Sequence, residues 1–188
     1  SQKMKELNQK VSLRLLCMNS FKSNQPLIAE SNDLTAYYQK LFASQDNTLI
    51  SCSTEKSSRM LLLCVYQKAQ LSGHPVYIID SPDELLCSAN YIDEEGVLQT
   101  GPGGPLYNFL KTNKDNNPTL LINYDKFKDS DFVLFNSLLD AEPFIDGVSF
   151  REFFAHEVPN ALSQGKTKFR VIGFRDSSNP DCYNESDF

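Results

Sequence analysis

The chain has 188 residues, 40% of them hydrophobic and 22% charged, with 24 acidic against 18 basic residues and a formal net charge of −6. This length suits one well-filled domain, and the acidic balance argues against nucleic acid or an anionic membrane as the main partner. No apolar run approaches the ~20 residues that span a bilayer. The N-terminus also lacks a signal-peptide pattern, so we expect a cytoplasmic protein.

The five cysteines are widely scattered and form no CxxC pair. Several lie inside apolar runs, which is typical of buried, reduced thiols in a cytosolic protein. Zinc is not expected, because the two histidines, His74 and His156, do not lie at ligand spacing from a cysteine. Both ends of the chain look cut, so we expect a fragment of a longer protein.

The first predicted elements are two amphipathic helices. Apolar residues recur at helical spacing over residues 4–21, and residues 1–24 are interpreted as an N-terminal helix and linker. A Ser-Asn-Asp cap at 31–33 precedes the second helix, DLTAYYQKLFAS. We expect these helices to pack against one side of the main domain, residues 25–188, or to link it to a preceding domain.

From residue 48 the pattern alternates between strands and helices. An apolar helix is predicted at 57–72, and it ends at Gly73. The predicted strands are 48–52, 76–80, 119–125 and 168–174. Continuous apolar strands separated by helices predict a three-layer α/β domain with a mainly parallel sheet of at least four strands.

The connections carry the remaining predicted elements. Ser81 and Pro82 are typical of a helix start, and residues 93–105 read as a glycine-rich loop. Further helices are predicted at 105–113 and 132–140. Residues 141–167 look hairpin-like, with a short helix near REFFAHEV.

The stretch ISCSTEKSSRM, residues 50–60, lies where a strand passes into a helix. In a phosphate-binding loop, backbone N–H groups hold phosphates, a lysine adds charge and a hydroxyl ligates magnesium. Lys56 and Ser57 fit the last two roles. Both glycines of G-x-x-x-x-G-K-[ST] are replaced, by Ile50 and Glu55, and a glutamate brings negative charge toward a polyphosphate. The alternative is a capped helix start with a solvated lysine.

Three further stretches resemble AAA+ ATPases, especially the midasin and dynein-related branch. GGPLYNFLKTNKDNNPTLLINYDKF resembles the segment that leads into the Walker B strand, and NSLLD at 136–140 resembles the helix that follows it. KFRVIGFRDSSNP resembles the sensor-1 strand. These stretches occur in the family's order, and the resemblance covers roughly residues 25–188. It implies a P-loop NTPase-like, AAA-type fold.

The resemblance also implies a nucleotide site. Lys56 would be the Walker A lysine, and ATP or ADP with Mg²⁺ would be the cofactor. Ser57 and Asp125 would hold the metal. The loop that contacts the nucleotide would consist of Ser53, Thr54, Glu55, Lys56, Ser57 and Ser58.

The residues implied for hydrolysis are incomplete. Walker B normally has an Asp that positions magnesium and a Glu that activates water, whereas this chain has one acid, Asp125, followed by Lys126. The sensor-1 candidates are Asp176, Ser177 and Asn179, and we select Asn179. The chain also stops before the family's fifth strand, arginine finger and helical lid.

Departures in both nucleotide motifs favour relaxed ATPase function over a misread fold, since a fold does not carry its function with it. We therefore predict a degenerate AAA-type domain that acts mainly as a protein-interaction or assembly module. Its partners would be other proteins or other domains of the same chain, and the full-length protein could be an oligomer. The alternative is a functional ATP- or ADP-binding core that uses Lys56, Ser57 and Asp125, so whether the chain is an enzyme stays open.

Two other stretches have features of a site. Cys52, near a helix N-terminus, is the best-placed thiol for nucleophilic catalysis, with His74 or His156 as its base, although a structural thiol is the simpler interpretation. The TGPGG run at 100–104 predicts a shaped turn, because its prolines remove N–H donors. An unrelated enzyme on an α/β scaffold is disfavoured, since no acid–base pair can be assembled from the spacing.

Overall fold

The computed structural model describes residues 32–140, 142–154 and 169–183. The helix predicted at 4–21, the whole segment 1–24 and residues 155–168 lie outside these ranges. The described α-helices are α1 (Asn32–Ala43), α2 (Glu55–Leu71), α3 (Pro105–Thr112) and α4 (Val133–Leu139). None of these described helices has the length and apolar character needed to cross a membrane.

Eight strands are described. They are β1 (Thr48–Cys52), β2 (Val76–Ile79), β3 (Ser88–Ile92), β4 (Leu98–Pro102), β5 (Thr119–Asn123), β6 (Phe144–Ile145), β7 (Val148–Ser149) and β8 (Arg170–Asp176). Four of them form an all-parallel central sheet in the order β1-β8-β5-β2. The other four form two antiparallel hairpins, β3–β4 and β6–β7, outside this sheet.

Helices flank the central sheet, and each face of the sheet has its own apolar cluster. Side chains alternate along a strand, so successive residues of β5 and β8 point to opposite faces. One cluster joins Leu121 and Phe174 to Leu62 of α2. The other joins Leu120 to Leu106 of α3. Burial on both faces explains why these strands read as continuous apolar runs. The prediction of an α/β domain with a parallel sheet is confirmed.

Most predicted elements of the sheet and its helices are confirmed, with small shifts at their ends. The helix α2 begins at Glu55, two residues before its predicted start, because Thr54 caps it. The strand β5 ends at Asn123, and Tyr124–Lys126 form a 3₁₀ turn instead of the last two strand residues. The strand β8 begins at Arg170 and continues to Asp176.

The prediction was only partly correct between β2 and α3. The helix start at Ser81 and Pro82 is confirmed, but the element is a 3₁₀ helix of only four residues, Pro82–Leu85. The glycine-rich loop predicted at 93–105 is wrong over most of its length, because residues 88–102 form the β3–β4 hairpin. Its turn is stabilised because the Asp93 carboxylate accepts hydrogen bonds from backbone N–H groups and Gly96 adopts a φ of +79°, a value that glycine permits.

The cysteines differ from expectation at one position. Cys52, Cys87 and Cys182 are not in a disulfide, whereas Cys64, buried in α2, is disulfide-bonded. The expectation of reduced thiols is therefore wrong at Cys64. A cysteine inside an apolar helical run has the pattern of a packing residue, and sequence spacing does not give the Cα–Cα distance that a disulfide requires.

Candidate functional site

The strands β1, β8 and β5 end side by side at one edge of the central sheet. Parallel α/β sheets bind ligands at the carboxyl ends of their strands, so this edge is the first place to look for a site. The register pairs Cys52 with Asp176 and Asn123 with Phe174. This arrangement brings together three groups that the sequence predicted separately: residues 53–58, Asp125 and the residues that follow β8.

The connection between β1 and α2 consists of two residues, Ser53 and Thr54. Thr54 is the N-cap of α2, and its Oγ1 accepts a hydrogen bond from the Ser57 N–H at 3.1 Å. The Thr54 hydroxyl donates in turn to Ser57 Oγ at 2.8 Å. The Ser57 N–H, one of the N–H groups in the first turn of the helix, is therefore already bonded to the Thr54 cap. The Ser57 hydroxyl, which was predicted to ligate magnesium, is bonded to the same cap.

The carboxylate of Asp176 lies close to the first residue of α2. It accepts hydrogen bonds from the Ser178 hydroxyl at 2.6 Å and the Ser178 N–H at 2.9 Å. These bonds, with a smaller contribution from the Glu55 N–H, lower the pKa of Asp176. The N-terminus of a helix favours an anion, and here the chain supplies one of its own. A polyphosphate that approached this helix would meet the charges of Asp176 and Glu55.

Asp125 lies beside Asp176 in the 3₁₀ turn that follows β5. Its Oδ1 accepts a hydrogen bond from the Asp176 N–H at 2.7 Å. Burial raises the pKa of Asp125, and the charges of Asp176 and Glu55 raise it further. The Asp176 N–H and the Ser58 hydroxyl oppose this shift. The balance favours a carboxyl that holds its proton more tightly than an exposed aspartate does.

Ser58, not Ser57, is the hydroxyl that faces Asp125. Ser58 is fully buried, and it lies close enough to lower the pKa of Asp125. Neither Ser58 Oγ nor Asp125 Oδ2 makes a hydrogen bond of normal geometry to any residue that the structure describes. The two groups are therefore close neighbours without a formed hydrogen bond.

A third buried oxygen at this edge also lacks a partner. Asn123 is 4% exposed, and its Oδ1 accepts no hydrogen bond from the described residues. Its register partner Phe174 packs toward α2, so the Asn123 side chain points to the same face as Ser58. Oxygen ligands suit Mg²⁺, and Ser58, Asn123 and Asp125 are the side chains here that fit it. Among the described residues, no group of three or more His, Cys, Asp or Glu side chains forms a metal site.

The two lysines of the site are exposed. Lys56, the predicted Walker A lysine, is exposed in the first turn of α2. Lys126 Nζ lies 3.7 Å from Glu55 Oε1, and both side chains are about half exposed. Such a surface pair contributes less than ~1 kcal/mol to stability. Its effect is local, because it joins the start of α2 to the 3₁₀ turn that contains Asp125.

The other sensor-1 candidates are engaged in local hydrogen bonds. The Ser177 N–H and hydroxyl both donate to the Cys52 carbonyl, at 2.8 and 3.0 Å, and so extend the contact between β8 and β1. Asn179 is exposed, and its Oδ1 accepts a hydrogen bond from the Asp181 N–H at 3.0 Å. Of the three candidates, Asp176 is the one whose backbone contacts Asp125.

The thiol-hydrolase alternative gains no support from the geometry. Cys52 ends β1, whereas His74 precedes the start of β2, so these residues lie at opposite edges of the parallel sheet. His74 Nδ1 shares a hydrogen bond with the Tyr38 hydroxyl, and its ring stacks on Phe42 with centroids 5.1 Å apart. The other candidate base, His156, lies outside the described residues.

An open cavity of about 830 Å³ lies at the opposite edge of the sheet, where β2 and β5 begin. Gln70, His74, Phe109 and Asn113 are among the residues that line it. None of the residues predicted for the nucleotide site lines it, and ligands of parallel sheets bind at the carboxyl ends of the strands. We therefore place the candidate site at the carboxyl edge despite the size of this cavity.

Sequence reasoning found the segments of the site but missed three of its contacts. They are the approach of the Ser58 hydroxyl to Asp125, the hydrogen bond from the Asp176 N–H to Asp125, and the ion pair between Glu55 and Lys126. The sequence does not predict these contacts, because all three depend on strand order. The one available signal was that Asp125 and Asp176 both follow apolar strands.

Comparisons of the chain with known protein families, with curated proteins and with solved structures found no match. The case for a function therefore depends on the sequence pattern and on the geometry of the site.

Proposed function

We propose that this chain is a degenerate AAA-type domain that acts as a protein-interaction or assembly module, with ATP hydrolysis weak or absent. Its partners would be other proteins or other domains of the same chain.

The strand order supports the AAA-type part of the proposal. In AAA-type domains the sensor-1 strand lies between the Walker A strand and the Walker B strand. Here β8 lies between β1 and β5, and all three strands are parallel. This order of the three strands is the one that an AAA-type fold requires.

The arrangement of groups at the N-terminus of α2 is the observation that supports weak or absent ATP hydrolysis. A connection of two residues, Ser53 and Thr54, leaves little backbone to surround a phosphate. The Thr54 cap and the Asp176 carboxylate already occupy the groups that would bind one. Glu55 adds a further negative charge, and the described part of the site has no second acid in the Walker B turn to activate water.

The alternative is a working nucleotide-binding core, and one observation favours it. Ser58 Oγ, Asn123 Oδ1 and Asp125 Oδ2 are buried oxygens without hydrogen-bond partners among the described residues, which is a set that suits Mg²⁺. When bound, Mg²⁺ would neutralise phosphate charge. Asp125 and Ser58 would then hold the cation, and Lys56 would reach the outer phosphates as a flexible point charge.

The test is ATP turnover, measured as phosphate release by the purified chain in Mg²⁺ beside the variant Asp125→Asn. We expect the same background rate for both proteins, because the wild-type site lacks a base and repels polyphosphate. A Glu55→Gly variant controls for the missing glycine and should also stay at background. A wild-type rate about tenfold or more above that of Asp125→Asn, equivalent to ~1.4 kcal/mol of barrier, would contradict the proposal.

A further inference from the structure

The β3–β4 hairpin lies outside the central sheet and carries a concentration of exposed apolar side chains. Nine large hydrophobic side chains are exposed among the described residues, and five of them lie on this hairpin or beside it: Leu86, Tyr91, Ile92, Val97 and Leu98. Single exposed apolar residues are ordinary, whereas a contiguous group of them marks an interaction site.

Both faces of the hairpin are apolar near its tip. Ile92 and Leu98 are directly opposite each other and are 71% and 68% exposed. Tyr91 and Val97, on the other face, are 55% and 50% exposed. A two-stranded hairpin is marginal in water unless its apolar surface is covered. These side chains are exposed in the folded domain, so their apolar surface is available to a partner.

The hairpin is nevertheless held in one shape. At its tip, the Asp93 carboxylate accepts hydrogen bonds from the Glu95 N–H, the Val97 N–H and the Gln99 side chain, at 2.8–3.0 Å. At its base, Asp146 Oδ2 accepts hydrogen bonds from the Cys87 and Ser88 N–H groups at 3.0 and 3.1 Å. A rigid element loses little conformational freedom on binding, which favours a role as a preformed docking surface.

The charge of the tip indicates the chemistry of the partner. Asp93, Glu94 and Glu95 follow Ile92 directly, and no basic residue lies between Ile92 and Leu98. The chain as a whole also carries a net charge of −6. A second copy of the chain, a nucleic acid or an anionic membrane would each bring like charge to this tip. Charge complementarity instead favours a basic partner with its own apolar surface.

We propose that the β3–β4 hairpin is the docking element of the interaction module, and that it takes a basic amphipathic segment of another protein. Apolar side chains of that segment cover Ile92 and Leu98, and its Lys or Arg side chains pair with Glu94 and Glu95. This inference rests on the proposed function, because it names the surface and the partner class of that module.

A synthetic peptide tests the proposal without knowledge of the natural partner. The probe is Lys-Leu-Lys-Val-Lys-Leu-Lys-Val, which as an extended strand has its apolar side chains on one face and its lysines on the other. Its binding is measured by fluorescence anisotropy at about 0.15 M salt, where exposed charges more than ~8 Å apart are largely screened. One control peptide has Glu in place of every Lys, and a second has Ser in place of every apolar residue. We expect the probe to bind at least about tenfold more tightly than either control peptide.

A hairpin variant and a matched control locate the binding. Ile92→Ser/Leu98→Ser removes the apolar pair, and its matched control Val133→Ser/Leu134→Ser removes an exposed apolar pair on α4. We expect affinity to fall about tenfold or more in the hairpin variant and to stay unchanged in the control. The hairpin variant should keep the wild-type melting temperature, because both of its side chains are mostly exposed.

The acidic tip has its own pair of variants. Glu94→Lys/Glu95→Lys reverses two charges at the tip, and Asp115→Lys/Asp129→Lys makes the same change in net charge elsewhere. The proposal predicts a larger loss of affinity, and a weaker dependence of affinity on salt, in the tip variant.

Three outcomes would overturn the proposal. They are no preference for the probe over the control peptides, equal binding by the hairpin variants and their matched controls, and self-association that Ile92→Ser/Leu98→Ser abolishes. The last outcome would make a second copy of the chain the occupant. Phosphate release in the same preparations separates this result from the proposed function: ATP turnover would contradict the proposed function and leave the hairpin result standing.

Discussion

Two opposing influences act on the ionisation of the Asp125 carboxyl group. Its Oδ1 accepts a short hydrogen bond from the Asp176 N–H, which favours the ionised carboxylate. Burial and the charges of Asp176 and Glu55 favour the protonated form and raise its pKa. A raised pKa means that the folded state binds this proton more tightly than the unfolded state does. The resulting stabilisation is complete below the unfolded pKa, about 3.9, and is lost as pH rises through the folded value.

The substitution Asp125→Asn tests this balance. The amide keeps the Oδ1 acceptor, removes the buried charge and supplies an N–H donor near Ser58 Oγ. We expect it to stabilise the fold at neutral pH by about 1 kcal/mol, the net size of a typical hydrogen bond, and to have little effect near pH ~4. Urea unfolding at both pH values is the measurement. An equal gain at both would show that the buried charge is not the cause.

Thr54 carries a second prediction at the scale of one residue. Its hydroxyl satisfies the Ser57 N–H in the first turn of α2. Thr54→Ala removes this cap and should lower the free energy of unfolding by about 1 kcal/mol. Thr54→Ser keeps the hydroxyl and should lie within ~0.5 kcal/mol of the wild type. Equal losses in both variants would assign the effect to the threonine methyl group instead of the cap.

Among the secondary-structure elements, β8 depends most clearly on one glycine. A Cβ at Gly173 would overlap the Tyr124 ring and lie 2.9 Å from Leu49 Cδ1. Because Gly173 lies in the middle of a strand buried between β1 and β5, the backbone has little room to move. Gly173→Ala should therefore destabilise the fold by about 1–3 kcal/mol, the usual cost of overpacking.

A double-mutant cycle with Tyr124→Leu is the control for this prediction. If the aromatic ring causes the clash, Gly173→Ala should cost measurably less in the Tyr124→Leu background. Additive losses would mean that Leu49 or the strand backbone is responsible.

The elements of the sheet could be predicted from the sequence, whereas the β3–β4 hairpin could not. Continuous apolar runs such as TLLIN in β5 have few interpretations other than a buried strand. The hairpin strands SANYI and LQTGP are mostly exposed and have weak alternation, so their pairing depends on the Asp93 turn and on the Asp146 contact from a distant hairpin. Contacts of that range leave no local pattern in the sequence.

At the scale of the whole molecule, strand order turns separate segments into one site. The sequence identified the ends of β1, β5 and β8 as candidates, but it could not show that Asp176 lies against the α2 N-terminus or that Ser58 faces Asp125. These two contacts change the chemistry of the site. The first brings the Asp176 carboxylate to the helix N-terminus, the position at which a phosphate would bind. The second belongs to a group of buried oxygen atoms that suits a cation better than an anion.

Titration calorimetry of the chain with ATP and with ADP, in Mg²⁺, tests most directly whether the α2 N-terminus still accepts a nucleotide. The variant Lys56→Ala is measured beside the wild type, with circular dichroism to show that both are folded. We predict no saturable heat from either nucleotide in either protein, because Asp176 and Glu55 repel the phosphates. Binding with a micromolar dissociation constant that is lost in Lys56→Ala would contradict this prediction and identify ISCSTEKSSRM as a working phosphate loop.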